Sequence, residues 1–188
     1  MDASVSELDR AGERAGWACA LVGGLGRALG RLPRALAGAA AAGWMLLIWW
    51  LSSGPIDVKP PLPAPGFFWN LAHAPVFGLL AALTATALAP RPLPSSWPDP
   101  GRLARVAAFV VAVGWAALDE LHQARVASRH GSLLDLVTDA TGAACVLWIA
   151  AYAGSARAGE RGLRTRLAIA VLLCIAAGLT ATLGDRPR

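Results

Sequence analysis

Charge is scarce in this chain. Asp, Glu, Lys and Arg together make up only 15% of it, too little to cover an ordinary soluble surface. Tyrosine is nearly absent, with one residue against eight tryptophans. The three cysteines, Cys19, Cys145 and Cys174, are an odd number with no CxxC spacing. That excludes a disulfide framework and a cysteine zinc site, and leaves them as small core residues. There is no HExxH motif, no Ser or Cys in a nucleophile motif, and no internal repeat. There is also no nucleic-acid-binding motif, although the net charge is +5. The arginines lie between apolar runs, so the basic balance reads as membrane topology and nucleic acid is not expected as a partner.

What is present is apolar length. Hydrophobic residues make up 56% of the 188, and the mean hydropathy is +0.51. Five runs, about 36–53, 67–89, 103–125, 133–153 and 166–183, each approach the roughly 20 residues that a bilayer requires. The fold class expected is all-α: an integral membrane helical bundle with about five transmembrane helices, its main partner the lipid bilayer. The connections "GPIDVKPPLPAPG" and "APRPLPSSWPDPG" are too rich in proline to continue helices.

The organisation expected is threefold. Residues 1–36 form an N-terminal tail and a basic segment, residues 37–153 a four-helix membrane core, and residues 154–188 a loop and fifth helix. Within 21–36, Arg27, Arg31 and Arg34 follow i, i+4, i+7 beside a stripe of leucines. That pattern suits a short helix on an anionic membrane surface, or else an irregular basic lead-in to the first span.

Arginine also sets the orientation. Arg27, Arg31 and Arg34, then Arg91, Arg102 and Arg105, then Arg157, Arg161, Arg164 and Arg166 fall on one side. The other side carries Lys59, Arg125, Arg129, Arg186 and Arg188. The heavier side, including the N-terminus, should be cytoplasmic.

Polar residues then concentrate where the chain should avoid them. The stretch Leu118–Gly142 holds two of the three histidines, His122 and His130, and four of the twelve acidic residues, Asp119, Glu120, Asp135 and Asp139. His73 lies about six residues into the second run, roughly 9 Å below its outer end. Asp119, Glu120, His122 and Gln123 end the third run, and Asp135 and Asp139 begin the fourth. Three helices therefore bring ionisable groups to one leaflet, the outer one in this orientation. The apolar run Val106–Leu118 is only 13 residues, too short to span alone, so the carboxylates lie at or inside the hydrocarbon boundary. Ionisable groups at that depth are costly unless paired and point to function.

Helical spacing puts Asp119, His122 and Gln123 on one face and rotates Glu120 about 100° away. Asp135, Asp139 and Gly142 share another face, where Gly142 permits close approach. Blander roles compete. "SLLD" makes Ser132 an N-cap with Asp135 as its capping-box partner. His122 suits an interfacial side chain and His130 a solvated loop. An ion-pair network with Arg125 or Arg129 would account for the carboxylates structurally.

The series Asp119-Glu120-x-His122-Gln123, then Arg129, Asp135, Asp139 and Gly142, resembles the signature of VanZ-like membrane proteins. "SSGP" after the first run and His73 early in the second fit the same family, and the resemblance covers about residues 44–153. Trp69 and Asn70 stand where the family has an Asp-Lys pair, Ala124 where an aromatic follows the Gln, and Ala127 and Ser128 where Pro-Gly precedes the Arg. The resemblance implies a small helical membrane bundle of the bacterial cell envelope, linked through its founding member to resistance to the glycopeptide teicoplanin.

Three functions are compatible with these residues. The first is binding or modifying an envelope amphiphile, a lipid-linked or glycolipid species. Arg125 and Arg129 would hold its anionic group, and Asp119, His122, Gln123, Asp135 and Gly142 would complete the binding site. The second is an intramembrane hydrolase or transferase in which His73, Glu120 and Asp139 share acid–base work or hold a divalent metal. The third is a small proton-coupled transporter. The spacing specifies no cofactor and no particular metal.

Overall fold

The computed structural model of the chain describes residues 16–54, 65–90, 100–126 and 131–184. Among them the regular elements are helices: α1 (Trp17–Arg31), α2 (Arg34–Ser52), α3 (Pro65–Leu88), α4 (Gly101–Gln123), α5 (Leu133–Ala153) and α6 (Glu160–Gly184). Helices α2 to α6 are each long and apolar enough to cross a membrane. The chain is thus an all-α bundle with five candidate spans, as its hydropathy requires.

Two boundaries differ from the sequence pattern. The basic segment is helical, but α1 begins at Trp17 and stops at Arg31. Pro33 supplies no amide and forces the preceding Leu32 into extended backbone, with ψ 129°. Arg34 therefore belongs to α2, where its guanidinium donates to the carbonyl of Ala89 at the far end of α3. Helix α6 starts at Glu160, six residues before the apolar run expected from 166. Hydropathy marks the part of a helix that lies in hydrocarbon, whereas Glu and Arg propagate a helix well in water. The early start has a use: the Glu160 carboxylate accepts the amides of Cys19 (2.9 Å) and Ala18 (3.3 Å), capping α1 from a distant part of the chain.

Helix α3 is the hub. It packs against α2, α4, α5 and α6, and half of its apolar window is buried. Phe77 and Leu80 fill its centre, surrounded by Ala81, Leu83, Ala112, Ala143 and Leu147. Close packing comes from small residues, the usual device where lipid offers no hydrophobic drive between helices. On α4, Ala104, Ala108, Ala112 and Ala116 form a buried i, i+4 ladder. On α5, a Cβ at Gly142 would collide with the backbone of Ala74 on α3. Leu46, Trp50, Val110, Leu118, Val137 and Leu172 point outward and exposed, an apolar girdle that only lipid would leave unpenalised.

The chain runs up and down. Ser52 ending α2 bonds Asp119 near the end of α4. Asn70 near the start of α3 donates to Thr182 near the end of α6, at 3.1 Å. All of these lie at one end of the bundle, and α1 and Glu160 lie at the other.

Candidate functional site

The alanine ladder of α4 runs directly into polar residues, since Glu120 continues the series 104, 108, 112, 116. Its side chain therefore leaves α4 on the same side as the alanines, and it is buried. Helix α5 reaches the same level with Asp139, one turn before Gly142. Because Gly142 lets α5 lie against Ala74, Asp139 comes within reach of His73 on α3.

The result is a three-residue cluster. His73 Nδ1 lies 3.0 Å from Asp139 Oδ1. Asp139 is 1% exposed and Glu120 8%. His73 retains 24% of its side-chain exposure and is the least buried of the three. A ligand atom from each of His73, Glu120 and Asp139 lies within 4.8 Å of the other two. Glu120 Oε2 accepts the backbone amide of Ser132 at 2.6 Å. Ser132 is the N-cap of α5, as its "SLLD" context predicts: its hydroxyl accepts the amides of Leu134 (3.1 Å) and Asp135 (3.3 Å). Glu120 thus supplies from α4 the contact to the N-cap amide that a capping box supplies from within one helix. Two oxygens of this cluster are buried without a hydrogen-bond partner, Glu120 Oε1 and Asp139 Oδ2.

Asp119 belongs elsewhere. Its Oδ1 accepts the hydroxyl of Ser52, and its Oδ2 accepts Gln123 Nε2 at 2.8 Å. Ile48 O and Trp49 O of its own helix also lie within reach of the Ser52 hydroxyl, whose single proton serves one of these acceptors at a time. Asp119, Gln123 and Ser52 are all buried, and together they fasten α2 to α4. His122 turns to a third environment. Its ring stacks on Trp49, with centroids 3.9 Å apart and planes 18° from parallel, and its Nε2 lies 3.0 Å from the Ser53 hydroxyl.

Of the residues singled out from the sequence, then, His73, Glu120 and Asp139 meet. Asp119, Gln123 and His122 hold α2 instead. Asp135 is half-buried one turn before Asp139, and Gly142 is the close-approach point. Arg125 is exposed just past the end of α4 and donates to Leu121 O in its last turn, at 3.2 Å. Arg129 and His130 lie outside the described residues. Three contributors have no local sequence signal as partners: Ser52, Trp49 and the amide of Ser132. A serine ending an apolar run invites notice, but nothing in its neighbourhood identifies Asp119, 67 positions away.

Chemically, the cluster offers an imidazole held by a buried carboxylate, a second carboxylate beside it, and two unused acceptor oxygens. Such a site can hold a proton, a cation, or the donor groups of a ligand. Compared with family models, with curated proteins and with solved structures, the chain matches none.

Proposed function

We propose that the chain is a VanZ-like multi-pass protein of the bacterial cytoplasmic membrane that binds or modifies an envelope amphiphile at the His73–Glu120–Asp139 cluster. In this reading the N-terminus and α1 are cytoplasmic, the cluster faces outward, and the ligand is a lipid-linked or glycolipid species. A link to teicoplanin resistance follows from the family resemblance. One observation carries the reading: two carboxylates from different spans converge at membrane depth with oxygens left unsatisfied. An unmet buried acceptor costs about 1–3 kcal/mol, more when charged, so a purely structural role would favour apolar side chains here. A polar head group would supply the missing donors while its tail occupies lipid.

The test is mass spectrometry of lipids that co-purify with the full chain. Wild type should carry a head-group class enriched over the bulk membrane, and Glu120→Gln should lose the enrichment. Identical bulk lipid on both proteins would rule the reading out.

A second reading, an intramembrane hydrolase or transferase, is favoured by the 3.0 Å His73–Asp139 contact. A carboxylate that fixes one ring nitrogen orients the other as a general base, with Glu120 as the partner acid. Conversion of the enriched lipid on incubation with wild type, and not with His73→Gln, would select it.

A further inference from the structure

We propose that His73, Glu120 and Asp139 form a binding site for one divalent first-row cation of the zinc or manganese class, bridging α3, α4 and α5. The proposal deepens the amphiphile reading by giving its site an inorganic component, and it rests on the same cluster. Four observations support it.

The first is the donor set. One imidazole and two carboxylates form a mixed N/O set that suits zinc, manganese or ferrous iron better than calcium or copper(I). The second is position. Each ligand sits on a different helix, and their ligand atoms lie within 4.8 Å of one another. Around an ion with bonds of about 2.0–2.2 Å, tetrahedral ligand atoms stand roughly 3.4 Å apart. Closing the set needs side-chain rotation on the order of an ångström, within reach of the long Glu120 side chain.

The third is the pair of unpartnered oxygens, Glu120 Oε1 and Asp139 Oδ2, on side chains more than nine-tenths buried. The His73–Asp139 hydrogen bond leaves both unmet. A proton on His73 balances one negative charge, whereas a divalent ion with neutral His73 balances two. The fourth is outer support. Ser132 N–H holds Glu120 Oε2 and leaves Oε1 without a partner, so the carboxylate can pivot about that bond toward an ion.

Three protein ligands leave at least one coordination position open. His73 is the least buried of the three, so a further ligand would approach from its side. An anionic head-group oxygen, phosphate or carboxylate, is the chemistry that fits that position.

The experiment uses the full chain without a polyhistidine tag, purified in detergent and treated with EDTA. ZnCl2 and MnCl2 are titrated separately, with metal content measured by mass spectrometry and thermal unfolding followed in parallel. Wild type should take up about one equivalent of at least one metal and unfold at a higher temperature when loaded. Glu120→Gln and Asp139→Asn should each bind about tenfold or more weakly. Glu160→Gln, at the other end of the bundle, should bind as wild type does. Wild type that neither binds nor is stabilised refutes the site, without recourse to any variant that folds poorly. Equal binding by wild type and Asp139→Asn, or loss in Glu160→Gln, refutes it too. Lipid analysis of the same samples separates the two ideas. Head-group enrichment without metal binding removes the ion and keeps the amphiphile reading; metal binding with only bulk lipid does the reverse.

Discussion

Asp119 and Glu120 are consecutive carboxylates at one depth on one helix, and they have opposite circumstances. Both Asp119 oxygens accept hydrogen bonds, from Ser52 and Gln123. Glu120 spends one oxygen on Ser132 and leaves the other buried and unmet. A rotation of about 100° along the helix carries the first toward α2 and the second toward α3 and α5. The comparison separates two uses of buried charge. A fully satisfied carboxylate fastens helices together; a half-satisfied one beside a histidine keeps an oxygen without a donor.

The sharpest way to break this contrast is to neutralise each cluster in turn. Glu120→Gln and Asp139→Asn keep shape and remove charge. Each should lower function on the order of 100-fold at matched membrane levels, measured as an envelope or resistance phenotype, with little change in unfolding temperature. Full function in Glu120→Gln would reduce Glu120 to a cap for α5.

Asp119→Ala should act on stability instead. It strands the buried Gln123 amide, while the Ser52 hydroxyl falls back on Ile48 O and Trp49 O, a loss of about 1–3 kcal/mol. Thermal unfolding of the detergent-solubilised chain measures it, and function should fall only in proportion to folded protein. A large functional loss with unchanged unfolding would place Asp119 with Glu120 after all.

The smallest effect belongs to the outermost contact. His122→Ala removes the ring that stacks on Trp49 and should cost about 0.5–1 kcal/mol, with faster hydrogen exchange at the end of α2. Exchange unchanged there would show that the Ser52–Asp119 bond and the Trp49–Trp115 contact hold α2 against α4 without the histidine.

The bundle was legible because hydropathy is local: the run 133–153 coincides with Leu133–Ala153, and all five runs became helices. Depth was legible for the same reason, since counting residues from a span end locates His73, Glu120 and Asp139 at one level. What counting cannot supply is azimuth. Whether Asp119 or Glu120 faces the histidine depends on how α4 is rotated in the bundle, and that is set by its alanine ladder against α3. His122, at i+3 from Asp119, has the spacing of a partner and yet lies on Trp49, because the partner choice belongs to α2. The start of α6 was illegible for a different reason: Glu160 is helical through its contact with α1, far away in sequence.

The ladder Ala104, Ala108, Ala112, Ala116 has one more consequence. A row of identical rungs has no preferred vernier setting. Displaced by four residues, about 6 Å along its axis, and turned by about 40°, α4 would present alanine at three of the four places where alanine had been, with Glu120 or Pro100 at the fourth. Along those three rungs steric fit barely distinguishes the two settings. What tells them apart is at the polar end, where only one setting lets Asp119 meet Ser52 while Glu120 meets the Ser132 amide. Those two bonds index the helix, choosing one notch of a ratchet whose teeth are all the same.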